Sequence, residues 1–116
     1  MINKELLAKY AQDFSVKLNE NQLKQFDVYA NMLVETNKVM NLTTIIEPDD
    51  IVLKHFADSL AVFNFVDFPV GSTVIDVGTG AGFPSLPMLI AQPNLKMTML
   101  DSLNKRLLFL HKVLDK

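Results

Sequence analysis

The chain has 116 residues, with 11 Lys and Arg against 13 Asp and Glu, and it contains no cysteine. An apolar fraction of 49% with 21% charged residues is typical of a single globular domain of this length. The missing cysteine excludes disulfide frameworks, thiolate zinc sites and cysteine nucleophiles. The first residues lack the apolar stretch of a secretory signal, and no apolar run reaches the ~18 residues of a membrane helix. We therefore expect a soluble cytoplasmic protein without a membrane partner.

Basic side chains are concentrated late in the chain. Residues 71–116 hold five Lys and Arg against three acids, whereas residues 1–70 hold six Lys against ten acids. A basic cluster is typical of a nucleic-acid-binding face, but a solvated helix surface explains it more often. The late cations include Lys105 and Arg106.

The first 70 residues have apolar side chains at the three- and four-residue spacing of helices. Asn3 is placed to cap a first helix, and Asn19 with Gln22 forms a capping-box pattern that opens a second. Pro48, followed by two acids, marks the start of a third helix. The second helix has the predicted apolar stripe Leu23, Phe26, Ala30, Leu33 and Asn37. We therefore predict an N-terminal helical region over residues 1–70.

After residue 71 the apolar pattern changes. Residues 73–77 are a short β-branched run, which predicts a buried parallel strand, and residues 96–100 predict a second strand. Helices are predicted from Phe83 to Ala91 and after Ser102, which can cap the last one. Helices followed by β-α-β-α indicate an α/β fold, in which residues 71–116 begin an open parallel sheet of the Rossmann type. Right-handed crossovers would place the two strands side by side.

A glycine-rich segment follows the first predicted strand, with the spacing D-x-G-x-G-x-G formed by Asp76, Gly78, Gly80 and Gly82. Glycines there permit a tight turn, the close approach of a ligand to the backbone, and the packing of helix on strand. Asp101 stands at the end of the second strand, where a carboxylate can accept both hydroxyls of a ribose. Together these features predict a nucleoside-cofactor site at the carboxyl edge of the sheet.

The type of cofactor follows from what surrounds the glycines. The dinucleotide fingerprint G-x-G-x-x-G would need its third glycine at Phe83. Asp76 would repel a pyrophosphate, whereas S-adenosylmethionine has a sulfonium, an ammonium and no phosphate. These residues favour S-adenosylmethionine. A dinucleotide-dependent oxidoreductase, and a glycine-rich turn that binds nothing, are the alternatives.

Four segments resemble, in the same order, motifs of the small-subunit ribosomal RNA methyltransferase G family, also called glucose-inhibited division protein B. They are residues 37–43 (NKVMNLT), 55–60 (HFADSL), 76–87 (DVGTGAGFPSLP) and 101–110 (DSLNKRLLFL). Ser85 stands where many relatives have glycine, a small-for-small change. The resemblance implies an N-terminal helical extension on a Rossmann-like methyltransferase sheet.

The resemblance also implies transfer of a methyl group from S-adenosylmethionine to N7 of a guanine in 16S ribosomal RNA of the small ribosomal subunit. Guanine N7 already offers a lone pair and the sulfonium is already activated. The reaction therefore needs no general base, metal ion or nucleophile, and positioning supplies the catalysis. Accordingly, no catalytic residue or metal ligand is predicted. The implied cofactor-binding residues are Asp76, Gly78, Gly80, Gly82, Phe83 and Asp101, with Phe83 against the methionine or adenosyl group.

Four residues are candidates for contact with the RNA: Lys105, Arg106, Lys54 and His55. Lys105 and Arg106 lie in the first turn of a predicted helix, where the helix dipole disfavours cations, and this favours a functional role. Lys54 and His55 are more simply explained as a surface Lys, able to pair with Asp58 one turn later, and a hydrogen-bonded His.

The family's core has a seven-stranded sheet, and only two strands are predicted here. We therefore expect the chain to be the N-terminal half of such an enzyme and to be inactive alone. The open edge of the strand at residues 73–77 would then favour self-association. A non-enzymatic fragment that binds the ribosome or a partner chain is the alternative function.

Overall fold

The structure, a computed structural model, describes residues 2–39, 42–66, 68–69, 71–77, 79–101 and 104–115, except the side chains of residues 104 and 105. Within these ranges, no helix is long and apolar enough to cross a membrane. The helices are α1 (Lys4–Asp13), α2 (Glu20–Asn37), α3 (Pro48–Asp50), α4 (Asp58–Leu60), α5 (Ser85–Ala91) and α6 (Asn104–Leu114). The strands are β1 (Thr73–Val77) and β2 (Lys96–Leu100). The chain is thus an α/β fold of the predicted order.

The predicted caps of the first two helices are confirmed. Asn3 Oδ1 accepts the backbone N–H of Leu6 at 3.0 Å. Asn19 and Gln22 exchange side-chain and backbone hydrogen bonds of 2.8 Å each, which is a complete capping box. The Gln22 amide also donates to two carbonyls at the end of α5, at 3.0 and 3.2 Å. The same residue therefore fixes the start of α2 and holds it against α5.

The helix predicted at Pro48 begins there, with Pro48 in its first turn, but it is not one regular α-helix. A π-helical segment (Ile51–Ala57) joins α3 to α4, and a 3₁₀ turn (Ala61–Asn64) follows. Local π-helix is frequent at functional sites. This segment contains His55 and Phe56, both of which contact the glycine-rich loop.

The strands β1 and β2 pair in parallel, from Thr73 opposite Lys96 onward, as predicted. The prediction of a strand buried on both faces is wrong, because Ile75 is 60% exposed and Val77 is 78% exposed. Leu100 on the same face of β2 is 49% exposed. A strand of a parallel sheet is apolar on both faces because each face is normally covered. Among the described residues, helices cover only one face of this sheet.

The helix after the glycine-rich loop begins slightly later than predicted. α5 starts at Ser85 and not at Phe83, because residues 80–84 form a turn in which Gly82 has a φ of +101°. Ser102, the predicted cap of the last helix, lies outside the described residues, and α6 begins at Asn104.

One cluster of buried side chains joins the helical region to the residues after 71. Phe26 and Phe56 stand at its centre, with ring centroids 4.9 Å apart. Further members come from both parts of the chain: Leu7, Tyr29, Leu33, Ile51, Leu60, Leu86, Phe109 and Leu110. A boundary near residue 70 stays a prediction, but the helices before it pack directly on those after it. This packing positions the glycine-rich loop.

Candidate functional site

The glycine-rich loop lies at the carboxyl end of β1 and leads into α5. Thr79 N–H donates to the Leu100 carbonyl at 3.0 Å, which fixes the loop to the end of the neighbouring strand. Gly80 has a φ of +58°, and a Cβ built there would meet nothing within 4 Å. The backbone at Gly80 is therefore open on the side from which a ligand would approach. Gly78 lies outside the described residues.

Gly82 has a different environment from Gly80. A Cβ at Gly82 would lie 2.8 Å from Leu86 Cδ1, 2.8 Å from Tyr29 Oη and 2.9 Å from Leu110 Cδ2. These atoms belong to α5, α2 and α6, which all reach the loop at this point. Gly82 thus has the close-packing role that we predicted for one of the glycines.

Two buried hydroxyls connect the loop to the strand before it. Thr79 Oγ1 donates to Asp76 Oδ2 at 2.9 Å and lies 2.9 Å from Ser85 Oγ. Because the single Thr79 proton goes to Asp76, Ser85 is the donor to Thr79. Thr79 is 2% exposed and Ser85 is 1% exposed. The two hydrogen bonds from Ser85 through Thr79 to Asp76 therefore hold the Asp76 carboxylate against the loop. The sequence did not indicate this role for Ser85.

The structure brings Asp101 to the glycine loop from the end of β2. Its carboxylate is 2% exposed, and Oδ2 accepts the Gly80 N–H at 2.8 Å. Arg106 Nη1 lies 3.5 Å from each carboxylate oxygen. Asp101 thus bridges the loop and α6, and Arg106 faces a carboxylate within the site.

The other RNA candidates also have local partners where they are described. Lys54 Nζ lies 3.9 Å from Asp50 Oδ1, so its ion pair is with the acid one turn earlier and not with Asp58. Both side chains are about half exposed, and such a pair contributes at most about 1 kcal/mol. The side chain of Lys105 is outside the described part of the chain. RNA contact by these residues stays a prediction.

A buried tyrosine supports the loop, and the sequence analysis missed it. The hydroxyl of Tyr29 donates a hydrogen bond to the Ala81 carbonyl. Its ring stacks on Phe56 and Phe83, with centroids 5.4 and 5.5 Å away. Burial raises the pKa of Tyr29 well above its usual value, and the charge of Asp76 adds to the shift. Tyr29 therefore keeps the proton that it donates.

A sequence signal for Tyr29 did exist. It lies three residues after Phe26 and four before Leu33, so it has the spacing of the apolar stripe of α2, although the predicted stripe did not include it. A tyrosine in a buried stripe needs a partner for its hydroxyl, and here the partner is in the loop. The identity of that partner depends on the tertiary packing of α2 against residues 79–84.

His55 also packs on the loop. Its ring lies parallel to that of Phe83, with centroids 4.1 Å apart and planes within 2°. His55 Nε2 is 2.8 Å from Thr43 Oγ1. Burial lowers the pKa of His55, although the nearby carboxylate of Asp58 opposes this shift. His55 is therefore hydrogen-bonded and favours its neutral form, and its contact with RNA stays a prediction.

The fold and this geometry together define a class of protein. A glycine-rich turn after one parallel strand, with an acid after the next, is the arrangement of Rossmann-like folds, which bind ligands outside the carboxyl ends of their strands. Residues 22–116 match the family described as rRNA small subunit methyltransferase G. The chain belongs to this family.

Curated bacterial relatives share this similarity over most of the chain. Proteins named ribosomal RNA small subunit methyltransferase G are 46% identical over 110 residues in Desulforamulus reducens and 51% identical over 98 residues in Bacillus subtilis. The relative in Leuconostoc citreum is 53% identical over 105 residues. The aligned parts cover 95%, 84% and 89% of this chain but 46%, 41% and 44% of those relatives. The chain therefore spans less than half the length of the curated relatives that it matches.

Proposed function

We propose that the chain holds the cofactor site of an S-adenosylmethionine-dependent methyltransferase that acts on N7 of a guanine in 16S ribosomal RNA. The observation on which this rests is the pairing of Asp101 with the loop. A buried carboxylate is held 2.8 Å from the amide of Gly80, whose backbone is open to a ligand. We infer the methyl transfer and the ribosomal RNA substrate from the names of the relatives. A substrate in the small ribosomal subunit would place the protein in the cytoplasm.

The residues of the loop suit a nucleoside cofactor that has positive charge and no phosphate. The open space at Gly80 admits a ligand against bare backbone, and Asp76 and Asp101 both bring a carboxylate to the loop. Asp101 would accept the ribose hydroxyls, and Gly82 would allow the close packing that supports the loop. A contact between Gly78 and the cofactor stays a prediction. Phe83 would contact the methionine or adenosyl group.

Catalysis by this site would depend on positioning. When bound, S-adenosylmethionine supplies a methyl group on a positively charged sulfur. The residues of this chain bind and orient that group, while an unpaired or extruded guanine presents its N7 lone pair. Alignment of reacting atoms accounts for a large part of many enzymatic rate enhancements, and a misplacement of about 1 Å can cost a hundredfold in rate.

Titration calorimetry tests the proposed cofactor. We expect the chain to bind S-adenosylmethionine and S-adenosylhomocysteine, and we expect no heat from NAD. Binding of NAD in place of S-adenosylmethionine would support the oxidoreductase alternative and overturn the proposal. If no cofactor binds but the chain sediments with small ribosomal subunits, the non-enzymatic ribosome-binding alternative replaces it.

We also propose that these 116 residues alone do not methylate RNA and that they self-associate through the open edge of β1. Ile75 and Val77 are more than half exposed, and β2 is the partner of β1 among the described residues. Native proteins normally cover or pair such a strand. Sedimentation should show a concentration-dependent dimer that Val77→Lys weakens, and the control Thr44→Lys should leave it unchanged.

The proposed inactivity has its own test. Incubation with tritiated S-adenosylmethionine and small ribosomal subunits should give no label, and label at guanine N7 would refute the inactivity.

A further inference from the structure

A series of contacts leads from the end of α2 to the glycine loop. Asn37 Oδ1 accepts the backbone N–H groups of Leu42 and Thr43 at 2.8 and 2.9 Å. These bonds fix the backbone at Thr43, whose hydroxyl lies 2.8 Å from His55 Nε2. The series ends where the His55 ring covers that of Phe83 at 4.1 Å. Its last residue belongs to the turn at 80–84 and not to a helix or strand.

The Phe83 ring lies among three other rings. Hydrogen bonds orient two of them, Tyr29 and His55, and the third, Phe56, is tilted at 6.1 Å. Tyr29 is 5.5 Å away at an angle of 25°, and its hydroxyl is bonded to the Ala81 carbonyl. His55 is parallel to Phe83, and its Nε2 is bonded to Thr43. Phe83 lies in a turn, directly after Gly82 at φ +101°, and its N–H donates to the Thr79 carbonyl at 3.2 Å. Within that turn, the neighbouring rings help to set the orientation of the Phe83 ring.

We infer that His55 is a positioning residue of the cofactor site, which holds the Phe83 ring in the orientation in which it contacts S-adenosylmethionine. The inference rests on the proposed function, because Phe83 is assigned there to contact with the cofactor. Tyr29 is wholly buried and part of the core, whereas His55 is half-buried at the side of the loop. His55, unlike Tyr29, can thus be changed without opening the core.

The charge state of His55 matters for a cationic ligand. Thr43 Oγ1 accepts the N–H of Ile45 at 3.1 Å and keeps its proton and one lone pair, so it can pair with either tautomer of a neutral His55. The charged group that acts on the His55 ring is Asp58, three residues later in the chain. The two residues that contact the ring from other elements, Phe83 and Thr43, are uncharged. A protonated imidazole against Phe83 would repel the sulfonium of S-adenosylmethionine. S-adenosylhomocysteine has a neutral sulfur and would not be repelled in this way.

Calorimetric titration of three variants with S-adenosylhomocysteine at pH 7.5 tests the positioning role. His55→Ala should bind roughly three- to tenfold more weakly, the range for one aromatic pair. His55→Phe keeps the stacked ring and should recover most of this affinity. The control His111→Ala, at an exposed histidine outside the site, should bind like the wild type. If His55→Ala binds as the wild type does, or if His55→Phe binds as weakly as His55→Ala, the inference is overturned.

Two further measurements keep the test decisive. If His55→Ala does not fold, Thr43→Val retains the ring but removes its hydrogen bond, and it should then show the weaker binding; unchanged affinity would overturn the inference. As the pH falls from 7.5 towards 5, the wild type should lose affinity for S-adenosylmethionine faster than for S-adenosylhomocysteine, whereas His55→Phe should lose both equally. If the ratio of the wild-type affinities for S-adenosylmethionine and S-adenosylhomocysteine does not change with pH, the inference is contradicted. Failure of the wild type to bind either ligand would instead reject the proposed function.

Discussion

Gly82→Ala is the substitution for which the structure gives the most definite energetic expectation. The new Cβ would lie 2.8–2.9 Å from side-chain atoms of Tyr29, Leu86 and Leu110, where real contacts are longer. At Gly80 the same methyl group would meet nothing within 4 Å, so Gly80→Ala is a matched control in the same loop.

The expected loss in the free energy of unfolding of Gly82→Ala has two parts. A non-glycine residue at φ +101° is strained by about 1–3 kcal/mol, and overpacking adds about 1–3 kcal/mol. We therefore expect Gly82→Ala to lose about 2–6 kcal/mol of the free energy of unfolding. Gly80→Ala has strain alone, at φ +58°, and should lose about 1–2 kcal/mol. A small domain has only about 5–15 kcal/mol in all, so the Gly82 variant should lose a substantial share of its stability.

Urea denaturation followed by circular dichroism measures both losses. With a slope of about 1–3 kcal/mol per molar urea, the Gly82→Ala midpoint should move by about 1 M or more, and the Gly80→Ala midpoint by less. If the two variants have the same midpoint, α2, α5 and α6 do not meet at Gly82 as described. The reasoning would then be refuted.

Three further outcomes are expected. Gly80→Val should abolish S-adenosylmethionine binding in calorimetry while the helical circular dichroism is kept, and unchanged affinity would remove the glycine loop from the site. Asp101→Ala should weaken that binding by about 1–3 kcal/mol, the range for charge-assisted hydrogen bonds, and should barely change binding of a 2′,3′-dideoxy analogue; equal losses would show that Asp101 does not contact the ribose. Because the folded chain lowers the pKa of His55, the unfolded chain binds its proton more readily. The stabilisation from the neutral ring should thus be complete above about pH 6.5 and decline as the pH falls below it, and denaturation midpoints of His55→Phe should lack this decline.

Features that depend on neighbouring residues in the sequence were predictable. The caps at Asn3 and Asn19 and the start of a helix at Pro48 follow from local hydrogen bonding and from the fixed φ of proline. The bounds of β1 follow from a short β-branched run between turns, and β2 has its predicted bounds although Lys and Met are poor strand formers. The position of Asp101 beside the glycine loop follows from topology, because parallel strands end at the same edge of a sheet.

Features that depend on tertiary packing were not predictable from these patterns. The stacking of His55 on Phe83 needs the relative position of a helix and a loop that are 28 residues apart. Ile75 was predicted to be buried and is exposed. An apolar strand shows that both of its faces suit burial, but it does not show that another element covers them. The pairing of Lys54 with Asp50 was also missed, because an acid stands one turn away on either side and the spacing alone does not choose between them.

The central claim is that the loop at residues 79–84 and Asp101 form an S-adenosylmethionine site. Ultraviolet cross-linking of tritiated S-adenosylmethionine to the chain, followed by peptide mapping, tests it most directly. We predict that the label falls on the peptides that contain residues 76–84 and 101. We also predict that S-adenosylhomocysteine displaces it, NAD does not, and Gly80→Val prevents it. Label confined to other peptides, or displaced equally by NAD, would contradict the claim.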